Sequence, residues 1–312
     1  MKLPLAAFLG CLAVSCGARV VTPPGSDAGT SGAIDAGFSG DSGVGLAGGA
    51  VELLRFGTVG DTRPPDCDDT AAYPTPIINA IADAVQARQA QFMIDTGDHM
   101  YVCNNELTEA DTQMGLFTAA TARFSNPWFM TMGNHECFSG PCTPGQLGSA
   151  TYLAFMKALA PVAALPYYTF DVQTRLGRAT FVVVADNAWT QAQSDWLERT
   201  LATADAAAAY TIISRHHPES DTSAATNPEV MTVIRRHKFA LFLTGHSHLY
   251  KHASTDDGRD MVIGIGGAPL ASGAAFNGYA MVEQQPSGLL QVTVYNLVGD
   301  VVRDSFTVGP NK

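Results

Sequence analysis

Five apolar runs in this chain end in the same way, with a short turn followed by carboxylate, amide or imidazole side chains. Residues 56–59 run into Gly60 and Asp61, residues 92–96 into Gly97 and Asp98, and residues 128–132 into Gly133, Asn134, His135 and Glu136. Residues 210–213 lead to His216, His217 and Pro218, and residues 239–243 to Gly245, His246, Ser247 and His248. Apolar runs this short have the length of buried strands. Polar groups on the loops leaving such strands are held by a rigid sheet, which is why α/β folds gather ligands at the C-terminal ends of strands. One Gly-Asp or His-x-His is weak evidence, because ordinary turns and surface histidines supply both. Five in succession provide the donors needed to hold two metal ions side by side.

Between these runs, apolar residues recur with helical spacing at Ile77, Ile78, Ile81 and Val85, at Met114, Phe117 and Ala120, and at Tyr152, Phe155, Met156 and Leu159. Residues 180–185 read as another buried strand, and residues 193–201 as a helix turning Trp196 and Leu197 inward. After Asp260 the pattern changes to strands and turns, at 261–265, 279–283, 289–295 and 301–308. The expected architecture is an α/β/β/α sandwich, two mixed sheets with helices on the outer faces. Gly264, Gly266 and Gly267 have no following helix and no later acidic partner, so they read as a tight loop and not a nucleotide cradle.

The ordered blocks resemble those of the calcineurin-like metallophosphoesterases, which run D-x-H, G-D, G-N-H-(E/D), H and G-H-x-H, and the similarity covers about residues 51–308. The resemblance implies that Asp61, Asp98 and His248 bind one ion and that Asp98, Asn134, His216 and His246 bind the other, with Asp98 as the bridge. It also implies that His135 faces the substrate as an acid or a charge stabiliser, an orienting role being the alternative; Glu136 reads as a loop anchor in preference to a base. One block departs from the pattern. Asp61-Thr62-Arg63 carries arginine where the family has histidine, and arginine neither loses its proton in a protein nor ligates metals. The second block, Gly97-Asp98-His99-Met100-Tyr101, is similar to the G-D-x-x-Y of purple acid phosphatases, where a tyrosinate binds a ferric ion. Tyr101 is then the missing ligand, with His99 or a water as its competitor.

Iron, zinc or manganese would suit the donors, with Fe(III) at the Tyr101 site. Arg63 either forks onto a phosphate oxygen or pairs with Asp66, Asp68 and Asp69. His217 is expected to line the substrate pocket, with His252 and Asn187 near it. The function expected is hydrolysis of phosphate esters by attack of a metal-bound hydroxide, with small phosphomonoesters as the first substrate class. A phosphodiesterase acting on cyclic nucleotides or glycerophosphodiesters, and a non-catalytic surface lipoprotein keeping the fold, are the alternatives.

Residues 1–16 read as a signal peptide whose end, Leu12-Ala13-Val14-Ser15-Cys16, resembles a bacterial lipobox. Cys16 would then carry a lipid anchor and the protein would sit in the bacterial cell envelope, in the periplasm or at the outer membrane. Residues 17–50, rich in Gly, Ala, Ser and Asp, read as a flexible tether before a domain at 51–308. Export favours disulfides among Cys67, Cys103, Cys137 and Cys142. Three connectivities exist, of which Cys67 with Cys103 and Cys137 with Cys142 are favoured, and thiol ligation of a metal is the rival. A formal net charge of −11 opposes a nucleic-acid partner, which would require a basic surface.

Overall fold

The computed structural model describes residues 41–138, 142, 147–221, 227–252 and 258–312, all within one compact unit, Phe38–Lys312. The expected leader, the Cys16 acylation site and most of the expected tether lie outside the described residues. In chain order the elements begin with β1 (Gly43–Gly45), β2 (Gly48–Val51), β3 (Arg55–Val59), α1 (Thr75–Ala87), β4 (Phe92–Asp95), α2 (Leu107–Thr121) and β5 (Trp128–Phe129). They continue with α3 (Ala150–Leu159), β6 (Tyr168–Thr174), β7 (Gly177–Val183), α4 (Gln191–Ala207), β8 (Tyr210–Ser214), α5 (Pro228–Ile234) and β9 (Leu241–Thr244). The last are β10 (Tyr250–His252), β11 (Asp260–Ile263), β12 (Gly278–Gln284), β13 (Leu290–Asn296) and β14 (Val301–Val308).

Two mixed sheets result. One has the order β1-β2-β6-β7-β8-β9-β11-β10 and the other β14-β13-β12-β3-β4-β5. Both are covered on both faces, which explains why their central strands are continuously apolar. Alternation along each strand assigns the faces. Phe56 and Phe92 of one sheet and Phe170 and Phe181 of the other point between the sheets, where the Phe92 and Phe181 rings cross at 5.1 Å and Phe170 stacks on Phe181 at 4.8 Å. Val59 and Met93 point the opposite way, onto Ile81 and Val85 of α1. Val182 and Ile213 likewise face Leu197 and Leu201 of α4 and Val230 and Ile234 of α5. The sandwich expected from the sequence is the one observed.

Three departures have local causes. β1 and all of β2 but Val51 lie inside the segment expected to be tether, so strand pairing is present before residue 51. β2 pairs in parallel with β6, and its glycines allow backbone contact too close for a side chain. Composition reports lack of apolar burial and not backbone pairing, so it missed this edge. β6 is a further strand beyond those expected, with Tyr168, Phe170 and Val172 alternating with the exposed Thr169 and Asp171. On α4 Leu197 turns fully inward as expected, while Trp196 is half-buried against Tyr167.

Candidate metal centre

β3, β4 and β5 are parallel neighbours in one sheet, and β8 and β9 are parallel neighbours in the other. Asp61, Asp98 and Asn134 follow the first three, and His216, His246 and His248 follow the last two, so all six reach one end of the sandwich. Asp61, Asp98, His246 and His248 have φ of 59°, 61°, 66° and 50°. Left-handed backbone costs a non-glycine residue about 1 to 2 kcal/mol, and such outliers gather where geometry serves function. Nearby glycines make the room. A Cβ on Gly133 would collide with Oδ1 of Asp98, and one on Gly264 with Oδ2 of Asp61. Gly264, expected only to turn the chain, is thus a wall of the site, which nothing in its own neighbourhood of the sequence signals.

Four donor atoms face a common point. Asn134 Oδ1 lies 3.0 Å from His216 Nε2 and 2.9 Å from His246 Nδ1. The two imidazole nitrogens are 3.2 Å apart, and His216 Nε2 is 3.3 Å from Asp98 Oδ1. Ligands bound about 2.0 to 2.2 Å from one ion lie about 2.9 to 3.6 Å from each other, so this set fits a metal cation. Asp61, Asp98 and His248 form a second group, with His248 Nε2 3.5 Å from Asp61 Oδ1. Asp98 is common to both groups, as a bridging carboxylate must be.

The outward nitrogens decide the tautomers. His216 Nδ1 donates to the Thr96 carbonyl at 2.7 Å, His248 Nδ1 donates to the Pro269 carbonyl at 2.7 Å, and His246 Nε2 faces the Asp221 carboxylate at 3.3 Å. Each arrangement leaves the inward nitrogen with its lone pair toward the site, the arrangement metal-binding histidines use.

Electrostatics agree. Burial raises Asp61 to about 7, with Asp98 adding to the rise and His216 and Arg63 opposing it. Burial disfavours charge on His216, yet Asp98 and Asp61 lift it to about 10. His246 is pushed down to about 4 by burial and by the neighbouring His216 and His217. The carboxylates demand positive charge, which a divalent cation supplies better than the proton on His216, and ion binding would release that proton.

A buried network holds the two central loops. Glu136 is fully buried, and its carboxylate accepts the main-chain N–H groups of Asp98, His99 and Gly133 at 3.1, 2.8 and 2.7 Å. This is the loop anchor the sequence suggested. His99 is not a ligand: its ring nitrogens face Asp95 at 2.9 Å and Glu136 at 3.3 Å. His217 does not line a pocket either. It is fully buried, its Nδ1 lies 3.0 Å from Asp186, and its ring packs on His246 at 4.4 Å. Asp186 was missed because it lies at the end of β7, far from any ligand block. His252 stacks on Phe306 at 3.6 Å and its Nε2 donates to the Gly258 carbonyl.

Arg63 does not pair with Asp66, Asp68 or Asp69. Its guanidinium turns inward, 3.9 Å from Asp98 and 3.4 Å from His248 Nε2, and covers the Tyr101 ring at 4.6 Å. Tyr101 also meets the ring of His135 edge-on at 4.6 Å, and its main chain is clamped by Gln113 of α2. His135 stands beside Asp98, with its main-chain N–H donating to Oδ1 at 3.0 Å. Disulfides join Cys67 to Cys103 and Cys137 to Cys142, the favoured pairs, so these thiols are not metal ligands.

Comparison with known proteins bears on the same residues. The family model for calcineurin-like phosphoesterases matches residues 54–250, more than half of the chain and the span holding every candidate ligand. Purple acid phosphatase PPD1 from yellow lupin (Lupinus luteus) seeds has a similar structure, with TM-score 0.62 and 16% identity over 82% of this chain and 53% of that one. The chain therefore spans about half the length of the lupin protein. GAP50, the anchor in the inner membrane complex of Plasmodium, matches with TM-score 0.60 and 12% identity over 84% and 90% of the two chains. A dimetal phosphatase from Danio rerio matches with TM-score 0.56 and 15% identity over 83% and 99%. No curated protein matches the chain in sequence. The structural likenesses report the fold. The family match over more than half of the chain, with which the donor geometry agrees, leads to one conclusion: the chain belongs to the calcineurin-like phosphoesterases, a family of metal-dependent phosphoester hydrolases.

Proposed function

We propose that this protein hydrolyses small phosphate esters, monoesters foremost, at two ions bridged by Asp98. Asn134, His216 and His246 complete the site of one ion, and Asp61, His248 and Tyr101 complete the other. The observation that carries this reading is the convergence of Asn134 Oδ1, His216 Nε2, His246 Nδ1 and Asp98 Oδ1 at spacings of 2.9 to 3.3 Å. When bound, the ion pair would draw phosphoryl oxygens and make hydroxide available near neutral pH. Asn134 contributes an uncharged oxygen, which limits the negative charge an anionic substrate must approach. His135, beside Asp98 and against Tyr101, is positioned to contact the ester or its leaving oxygen.

The test is hydrolysis of a panel of mono- and diesters after chelation and reconstitution with iron, zinc or manganese singly. Faster turnover of monoesters is expected. A preference for diesters would favour the phosphodiesterase alternative, and ion-loaded protein inert toward the whole panel would sink the enzymatic reading. With iron, a visible charge-transfer band that Tyr101→Phe abolishes is the signature of the phenolate ligand.

His135→Ala should retain both ions and lose roughly 10² to 10⁴ in rate, the usual contribution of a positioned acid or base. Elemental analysis beside the kinetics checks this. Loss of the ions in that variant would make His135 a support of the site and not a group acting on the ester.

A further inference from the structure

The two ion sites are unequal in what surrounds them. Around the Asn134, His216 and His246 donors the neighbouring groups are acceptors that leave lone pairs turned inward. Around Asp61, Asp98, His248 and Tyr101 there is already a permanent cation. The Arg63 side chain is only 12% exposed, and its guanidinium meets three of those four groups at once. One terminal nitrogen lies 3.4 Å from His248 Nε2, the nitrogen whose outward partner is donating to Pro269. Its Nε lies 3.9 Å from Asp98 Oδ2, and its plane covers the Tyr101 ring at 4.6 Å. The other terminal nitrogen donates to the carbonyl of Pro64 at 3.0 Å, which ties the side chain back to its own loop. Among the described residues the buried Nε–H makes no hydrogen bond, and its nitrogen faces the bridging carboxylate.

We propose that Arg63 and the ion of the Asp61, His248 and Tyr101 site compete for the same ligands. The protein then retains one ion firmly, in the Asn134, His216 and His246 site, and takes the second only by displacing the guanidinium. The inference rests on the two-ion reading above. Its physical basis is that a guanidinium keeps its proton at any accessible pH, so it presents positive charge to the carboxylate and imidazole acceptors without ever becoming a ligand itself. An incoming cation meets both the loss of those contacts and like-charge repulsion at close range. Arginine where the family's first block has histidine therefore does more than leave a ligand out. It places a competitor at the site, two residues after the Asp61 ligand it opposes.

Chelated full-length protein dialysed against graded Mn(II), with bound metal counted by elemental mass spectrometry, tests the proposal without reference to activity. Wild type should fill one site first and the second at concentrations roughly 10 to 100-fold higher, the range by which groups adjoining ligands alter metal affinity. Arg63→Ala and the near-isosteric Arg63→Gln should bring the two steps together, and either variant suffices if the other fails to fold. Wild type filling both sites over one concentration range, or a separation unchanged in both variants, would overturn the proposal and leave the two-ion reading intact. Asn134→Ala distinguishes the failures: it should abolish the first step, and if wild type binds no manganese or this variant binds like wild type, the two-ion reading itself falls.

Discussion

Asp98→Ala is expected to reduce phosphoesterase activity to background and to remove both ions. Asp98 belongs to both donor groups: Oδ1 lies 3.3 Å from His216 Nε2, and its carboxylate completes the trio with Asp61 and His248. It is only 1% exposed, and although burial alone would raise it, His216 and His135 hold it well below the usual carboxylate range. A charged, buried, shared carboxylate has no substitute nearby, because Asp61 and Asn134 each reach one group only. Asp98→Asn separates shape from charge. It can still accept the His135 N–H but cannot serve two cations as an anion, so ion content should fall nearly as far as with alanine. Elemental analysis and kinetics on both variants decide the matter, and full ion occupancy with retained turnover would reject the bridge.

Glu136→Ala should cause the largest loss of stability, roughly 3 to 5 kcal/mol, the cost of removing one member of a buried charged network. Three main-chain N–H groups, those of Asp98, His99 and Gly133, lose their acceptor at once. His99 loses one of the two carboxylates that face it. The loops after β4 and β5 carry Asp98 and Asn134, so ion affinity should fall together with stability. Denaturant unfolding in the presence of a chelator isolates the structural part, and stability equal to that of wild type would show that the network is dispensable.

The pH dependence follows from the signs of the shifts. Burial disfavours charge on His99, but Asp95 and Glu136 raise it well above the ordinary histidine value. Its contribution is complete below about 6.5 and is lost as pH rises through the raised value. Burial alone would raise Glu136, but His99 brings it below its ordinary value of 4.5. That contribution is complete above the ordinary value and is lost as pH falls through the lowered one. The stability gap between wild type and Glu136→Ala should therefore be widest across the neutral range and narrow toward both extremes.

Local patterning made much of this protein legible. A buried strand ending in a turn and a polar side chain is a signal contained within about six residues, and it occurs at Asp61, Asp98, Asn134, His216 and His246. The alternation of faces that covers both sheets is equally local, which is why the sandwich and most of its strands were readable. The Cys137 to Cys142 loop closes over five positions and was readable for the same reason.

What the sequence alone left undecided depends on partners far apart in the chain. Arg63 could have gone to a phosphate or to the acidic residues beside it, and only the packed site turns it onto His248 and Tyr101. His99 and His217 sit beside candidate ligands in sequence, yet Asp95, Glu136 and Asp186 claim their rings. Gly264 reads as a turn until the fold brings Asp61 against it. The sequence by itself determined which donors exist and that strand ends would carry them, because strand and turn propensities act over a few residues. Tertiary structure decided which nitrogen faces inward, which histidines join the donor groups and which support them, and where the Arg63 guanidinium points, because a buried polar group takes its role from whatever neutralises it.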